Sequence, residues 1–172
     1  MLNTRASGVL MHLTSIPSRY GVGVMGDETK RFIDKIKGMG FSYWQVLPLN
    51  PPDFHGSPYT SDAAFAISHM FVSPDELVKD GLVSSEDIER SVYYGSPYTA
   101  DYEFAYSARL ELLRKAYSNA GEAIKAKAEK FANENEWCKS YSLFMAAKEK
   151  FDNKPWYEWG EDFARYENCL KN

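Results

Sequence analysis

Asp53, Phe54, His55, Ser57 and Tyr59 crowd into one stretch punctuated by Pro51, Pro52, Gly56 and Pro58. A carboxylate, an imidazole, a hydroxyl and a phenol in one turn-rich run offer proton transfer and hydrogen bonding to hydroxylated ligands. The rings add faces on which a sugar or a base can stack. The alternative is a surface turn with incidental aromatics. Other groups with chemical potential are dispersed. His12 interrupts an apolar run, Asp27, Asp62 and Glu158 lie near turns or aromatics, and Cys138 and Cys169 lack CxxC spacing or a nearby His pair. Glycosidic chemistry needs two carboxylates flanking the scissile bond. These acids do not pair on successive strand ends, so each reads as a cap or turn residue. His12 reads first as a satisfied core histidine and second as a catalyst. No P-loop, HExxH, GxSxG or spaced Cys/His cluster occurs.

The elements that must position this stretch are legible upstream of it. Residues 8–13, Gly-Val-Leu-Met-His-Leu, form a continuous apolar run broken by one His, the pattern of a strand buried on both faces. Residues 14–26 read as a long loop. Residues 27–40 read as a helix, with acids in the first turn, Phe32, Ile33, Ile36 and Met39 on one face, and Gly40 at the stop. Residues 42–47 are β-branched and aromatic, hence a second strand, and Pro48 ends its ladder because proline has no N–H. Strand, helix and strand make a βαβ unit, so the loop from Pro48 to Tyr59 leaves a strand C-terminus, where α/β enzymes build sites. Gly21-Val-Gly-Val-Met-Gly26 matches GxGxxG. Its first glycine nevertheless follows the strand too late, and Leu47-Pro48 stands where an acid would hold a ribose. A flexible loop is the expectation there, with a nucleotide-binding α/β protein as the weaker alternative.

Beyond the loop the chain turns helical. Ser73-Pro-Asp-Glu76 and Ser84-Ser-Glu-Asp87 are helix starts, and residues 100–117, 120–135, 136–151 and 161–170 read as further helices. Tyr102, Tyr106, Leu110, Leu113 and Tyr117 mark the expected apolar face of the first of these. Gly56-Ser-Pro-Tyr-Thr recurs as Gly95-Ser-Pro-Tyr-Thr, the second copy leading into a helix capped by Thr99 or Asp101. Only the first copy follows a strand end, so it alone is the site candidate, and Tyr98 is expected to pack or face solvent.

Composition narrows the classes. With 44% hydrophobic residues and 172 positions, one domain with a real core is within reach. A net charge of −4 gives no basic face for nucleic acid, and no run approaches a membrane span. No signal-peptide h-region opens the chain, so a cytoplasmic location is the default expectation, with no structural disulfide, cofactor or metal. Tyrosine (12) and tryptophan (4) are abundant, suiting sugar or base stacking or simply the core. A complete (β/α)8 barrel takes roughly 250 residues, and with two strands visible the chain reads as the opening of something larger.

Four stretches together resemble a known family. Arg5-Ala-Ser-Gly-Val-Leu-Met-His-Leu-Thr-Ser-Ile-Pro, Tyr20-Gly-Val-Gly, Tyr43-Trp-Gln-Val-Leu-Pro-Leu and Gly56-Ser-Pro-Tyr are similar to the N-terminal region of 4-α-glucanotransferases (amylomaltase or disproportionating enzyme, glycoside hydrolase family 77). Tyr141-Ser-Leu-Phe-Met-Ala-Ala-Lys and Lys154-Pro-Trp-Tyr-Glu-Trp resemble that family's helical insertion. The resemblance implies the start of a (β/α)8 barrel, residues 1–66 forming the first βαβ unit with the sugar-cleft loop and residues 67–172 a helical insertion subdomain. It implies transfer of α-1,4-glucan segments between maltooligosaccharides by a retaining double displacement, without a cofactor. The catalytic carboxylates would lie on later strands, in the remainder of the barrel beyond residue 172. By the same resemblance Ser57, Pro58 and Tyr59 line the cleft, Phe54 takes a secondary glucan position, and Trp44 and Gln45 support the loop from strand 2. A non-catalytic glucan-binding module is the alternative function. Ile67-Ser-His-Met-Phe71 departs from the family's Gly-Asn-Pro-like turn.

Overall fold

The computed structural model describes residues 5–53 and 56–171. Strand β1 (Gly8–Leu10) and strand β2 (Tyr43–Gln45) pair in parallel, Gly8 opposite Tyr43 and Leu10 opposite Gln45. Helix α1 (Asp27–Gly38) connects them, completing the expected βαβ unit. Both strands are shorter than their apolar runs. Met11 N–H still donates to Gln45 O at 3.1 Å, but a 3-10 turn at Leu13–Ser15 then bends the chain away. Burial on both faces is not observed: Leu10 is 61% exposed, because two strands supply no third to cover it.

Asp27 and Glu28 sit at the positive end of the α1 dipole, and Lys35 and Lys37 lie in its last turn. Ile36 is buried and Phe32 meets Trp44 edge-on at 5.2 Å, while Ile33 and Met39 remain exposed. Between β1 and α1 the expected flexible loop is instead a packed segment, with Tyr20, Val22 and Val24 fully or almost fully buried. Its glycines serve that packing. A Cβ on Gly23 would stand 2.0 Å from Leu13 O, so only glycine lets the segment approach the 3-10 turn.

Helices α2 (Pro74–Lys79), α3 (Ser85–Glu89) and α4 (Tyr102–Asn119) follow. Leu77, Val83, Ile88, Leu112 and Ala116 form one apolar cluster among them. The buried stripe of α4 is Ala105, Arg109, Leu112 and Ala116, rotated from the expected aromatic face, and Tyr117 is exposed. Small residues at 105 and 116 allow close approach, which the larger side chains cannot.

The chain divides into two compact units, the first reaching Ala120 and the second beginning at Gly121. The segment after residue 66 packs on the first unit through the 3-10 turn His69–Phe71, whose Phe71 shares a cluster with Leu13 and Ile16. In the second unit α5 (Glu122–Glu134) packs against α6 (Glu136–Lys150), and α7 (Tyr166–Cys169) closes the chain. Its core is Ala147, Trp159 and Cys169, with Phe151 stacked on Trp159 at 5.9 Å.

Helix α3 starts with a capping box. Ser84 Oγ accepts from Asp87 N at 3.2 Å, Ser84 N–H donates to Asp87 Oδ2 at 2.9 Å, and Lys115 of α4 pairs with Asp87 Oδ1. The Lys115 hydrogen bond, then the Ser84 backbone, depress the Asp87 carboxyl from 3.8 to about 2. A depressed carboxylate contributes stability in full above pH 3.8 and loses it as pH falls through about 2. Asp87→Asn is therefore expected to lower Tm at pH 7, and its deficit against wild type should shrink markedly as the pH falls from 4 towards 2. A deficit that persists unchanged at pH 2, followed by circular dichroism, contradicts this account.

Candidate functional site

Helix α1 delivers the chain to β2, and beyond β2 the backbone runs through Pro48 into the candidate loop. The base of the loop is closed, since Ser68 N–H donates to Leu49 O at 2.8 Å. Leu49 is packed against the Leu13, Ile16 and Phe71 cluster, and Ser68 is buried. Inside this closure Asp53 organises the turn. Its Oδ1 accepts from Ser57 N at 2.9 Å, its Oδ2 accepts from Thr60 Oγ1 at 2.6 Å, and its carbonyl accepts from Gly56 N at 2.9 Å. Asn50 Nδ2 donates to Pro58 O at 3.0 Å, fixing the next bend. Asp53 is thus a turn residue, as its isolation from other acids suggested.

The loop is also locked from below. Gly56 has φ +79, and a Cβ there would fall 2.4 Å from the Tyr102 ring. Tyr102, at the first turn of α4, continues a chain of polar contacts into the βαβ unit. Tyr102 Oη lies 2.9 Å from Thr14 Oγ1, Thr14 Oγ1 lies 2.6 Å from His12 Nδ1, and His12 Nε2 lies 3.1 Å from Pro48 O. Directions follow from donor inventory. A carbonyl only accepts, so Nε2 carries the proton in the neutral ring. Nδ1 then accepts from the Thr14 hydroxyl and from Thr14 N at 3.4 Å, and Tyr102 donates to Thr14. His12 is a satisfied core residue whose ring ties the end of β1 to the end of β2.

These contacts fix a scaffold, and on the loop it supports the rings of Tyr59 and Phe65 stand exposed among the described residues. Tyr59 is 71% exposed, with its N–H 3.4 Å from Ser57 Oγ. Ser57 and Pro58 are half-buried beneath it. Trp44 is half-buried against Phe32, and its Nε1–H donates to Met11 O at 2.9 Å, so its ring is committed to packing. Gln45 is exposed on β2. Phe54 and His55 lie outside the described residues.

The second Gly-Ser-Pro-Tyr-Thr copy repeats the local turn, Tyr98 N–H pointing to Ser96 Oγ at 3.3 Å. Gly95 does not adopt the left-handed backbone of Gly56. Asp101 caps α4 by accepting from Phe104 N at 2.9 Å, as expected of that copy, and Tyr98 is 85% exposed. A cavity of about 130 Å3 opens beside it, lined by Thr14, Ser15, Ser18, Gly21, Tyr98 and Thr99 among others. The sequence carried no signal for this cavity, because it joins segments far apart in the chain. Among the described residues no group of three or more His, Cys, Asp or Glu side chains is arranged to hold a metal ion. Cys138 and Cys169 are free thiols.

Gly56→Ala has to relieve both a left-handed backbone, at roughly 1–3 kcal/mol, and a clash with the Tyr102 ring. At Gly95 an added Cβ meets the outer end of the Tyr93 side chain, which can swing aside. Gly56→Ala should therefore melt several degrees below wild type and clearly below Gly95→Ala. Equal melting temperatures for the two variants would remove the Tyr102 lock.

Comparison with known proteins fits this geometry. The family model described as 4-alpha-glucanotransferase, glycoside hydrolase family 77, matches residues 11–171. A 4-alpha-glucanotransferase of Aquifex aeolicus is 41% identical over 95% of the chain, and one of Streptococcus pneumoniae is 39% identical over 95%. In each case the chain spans 33% of the relative's length. The structure of an amylomaltase from Streptococcus agalactiae in complex with acarbose superposes with a TM-score of 0.86 at 35% identity, covering 92% of this chain and 32% of that one. This match supports the expected fold class, the opening βαβ unit of an α/β barrel followed by helices. With the family's pattern matched along nearly its whole length, the chain belongs to the 4-alpha-glucanotransferase family.

Proposed function

We propose that the chain is the N-terminal part of a 4-α-glucanotransferase, and that its loop from Asn50 to Thr60 forms one wall of the glucan cleft. The observation that carries this reading is the exposed Tyr59 ring, mounted on a turn that Asp53 and Tyr102 hold rigid at the C-terminal end of β2. Strand C-terminal ends are where barrel enzymes bind substrate. A ring carried on a turn fixed in advance costs less backbone freedom when a sugar stacks on it. The related amylomaltase was solved with acarbose, a glucan analogue, and this supports α-1,4-linked glucose polymers as the ligand class. Ser57 and Pro58 shape the floor under the ring, and Trp44 and Gln45 act from β2. Phe54 belongs to the same loop and would offer a second aromatic surface.

In this reading the reaction is a retaining double displacement whose carboxylates lie in the remaining two-thirds of the protein. The chain's own contribution is binding and orientation. Among the described residues no helix is long and apolar enough to cross a membrane. With two free thiols and a net charge of −4, the chain suits a reducing aqueous compartment, and we assign the enzyme to the cytoplasm.

Two measurements test the proposal. Calorimetric titration with maltoheptaose should give several-fold weaker binding for Tyr59→Ala than for wild type, with Tyr98→Ala unchanged, since an aromatic–sugar contact of this kind contributes on the order of 1 kcal/mol. Equal losses, or a loss only at Tyr98, would move the sugar site to the cavity beside the second copy. Incubated alone with maltotriose, the 172-residue chain should release no glucose above buffer. Disproportionation abolished by changing an acid within this chain would overturn the assignment of the catalytic pair to later strands.

A further inference from the structure

Arg109 is the largest fully buried side chain, at 0% exposure, and Nε, Nη1 and Nη2 have no hydrogen-bond acceptor among the described residues. It stands on the inward stripe of α4 between Ala105 and Leu112. Its guanidinium carbon lies 5.2 Å from the centroid of the Tyr20 ring, and that of Arg19 lies 5.0 Å from the same centroid. The ring is fully buried, and its hydroxyl accepts from Arg19 Nε at 3.0 Å. Burial pulls the Arg109 guanidinium down to about 10, partly offset by Tyr20 and Asp75, so it carries its charge at neutral pH.

The surrounding groups do not balance that charge. Asp75 is the carboxylate it senses, but Asp75 Oδ1 is bound by Arg19 Nη2 at 2.8 Å. His69, also within its field, is held neutral chiefly by burial, and its Nε2–H donates to Tyr106 O at 3.3 Å. Two guanidiniums therefore share one carboxylate, with one positive charge left over in the interior. A buried cation without a partner is strongly unfavourable. Arginine's planar fork presents five N–H donors, the pattern that captures anions. A glucan hydroxyl or a carboxylate from another segment cannot reach a side chain with no exposed surface. The complement must be negative, and small enough to be enclosed.

We propose that Arg109 is the centre of a buried monatomic-anion site of the chloride type, and that the ion fastens the Ser18–Val24 segment to α4. The ion neutralises the guanidinium from its N–H edge, while Tyr20 engages it through the ring. This inference is independent of the glucan reading.

Thermal unfolding of the 172-residue chain at constant ionic strength provides the test, with gluconate replaced stepwise by chloride or bromide. Linked binding should raise the wild-type Tm by roughly 3–5 °C per tenfold halide above the dissociation constant. Arg109→Met should show no such rise. Sulfate, too large to be enclosed, should act equally on both proteins through its general salting effect. Should Arg109→Met fail to fold, bromide-soaked crystals of the wild-type chain decide the matter by anomalous scattering. A peak within hydrogen-bond reach of the Arg109 nitrogens upholds the site. Identical wild-type Tm in gluconate and halide, or no anomalous peak beside Arg109, overturns it.

Discussion

A short chain of polar contacts, from the Tyr102 phenol through Thr14 and His12 to the Pro48 carbonyl, holds the site region together. Its necessity is elementary. β2 stops at Gln45, and Pro48 just beyond it has no N–H to offer as the chain leaves the sheet. Backbone groups there need partners that strand pairing no longer supplies. The His12 imidazole meets that need on the β2 side with Nε2–H and, on its own side, caps the 3-10 turn through Nδ1. Each member has one role fixed by its neighbour, so the carbonyl at one end dictates the hydroxyl orientation at the other.

That constraint explains how two identical pentapeptides acquire different positions. Gly56 rests on the ring of Tyr102, whose hydroxyl the contact chain has fixed, and takes a left-handed backbone to do so. Gly95 meets Tyr93 and stays out of that region. The Ser–Tyr turn itself survives in both copies, at 3.4 and 3.3 Å. Local sequence sets the turn, and tertiary contact sets the direction of entry.

The order strand, helix, strand and then helices was legible from apolar period, caps and Pro48; the helix start at Ser84 was readable as such, and of the two candidate caps Thr99 and Asp101 the structure uses Asp101. Less visible were features that depend on distant partners. The strands end early because Leu13 turns into the core formed with Phe71 and Ile16, a contact across more than fifty residues. The α4 face was misread because bulk was taken as the guide, whereas the buried stripe is alanine, arginine, leucine and alanine at positions 105, 109, 112 and 116. That stripe obeys helical spacing, and an arginine on it was the available signal. The glycines of the segment with GxGxxG spacing accommodate tight packing, so it is a packed segment where a flexible loop was expected. Of the candidate site, the turn role of Asp53 followed from sequence, whereas the dependence of Gly56 on Tyr102 did not.

The closed base of the loop, where Ser68 returns to Leu49, has an evolutionary corollary. Because the two ends are tied to each other and to the core, changes between them are screened from β2, except at Gly56, which bears on Tyr102 of α4. A change at the tip that spares these anchors leaves the supporting strand its register. Natural variation in how such proteins grip their ligands can therefore accumulate in this segment at little expense to folding, with Gly56 and Asp53 as the positions least free to follow.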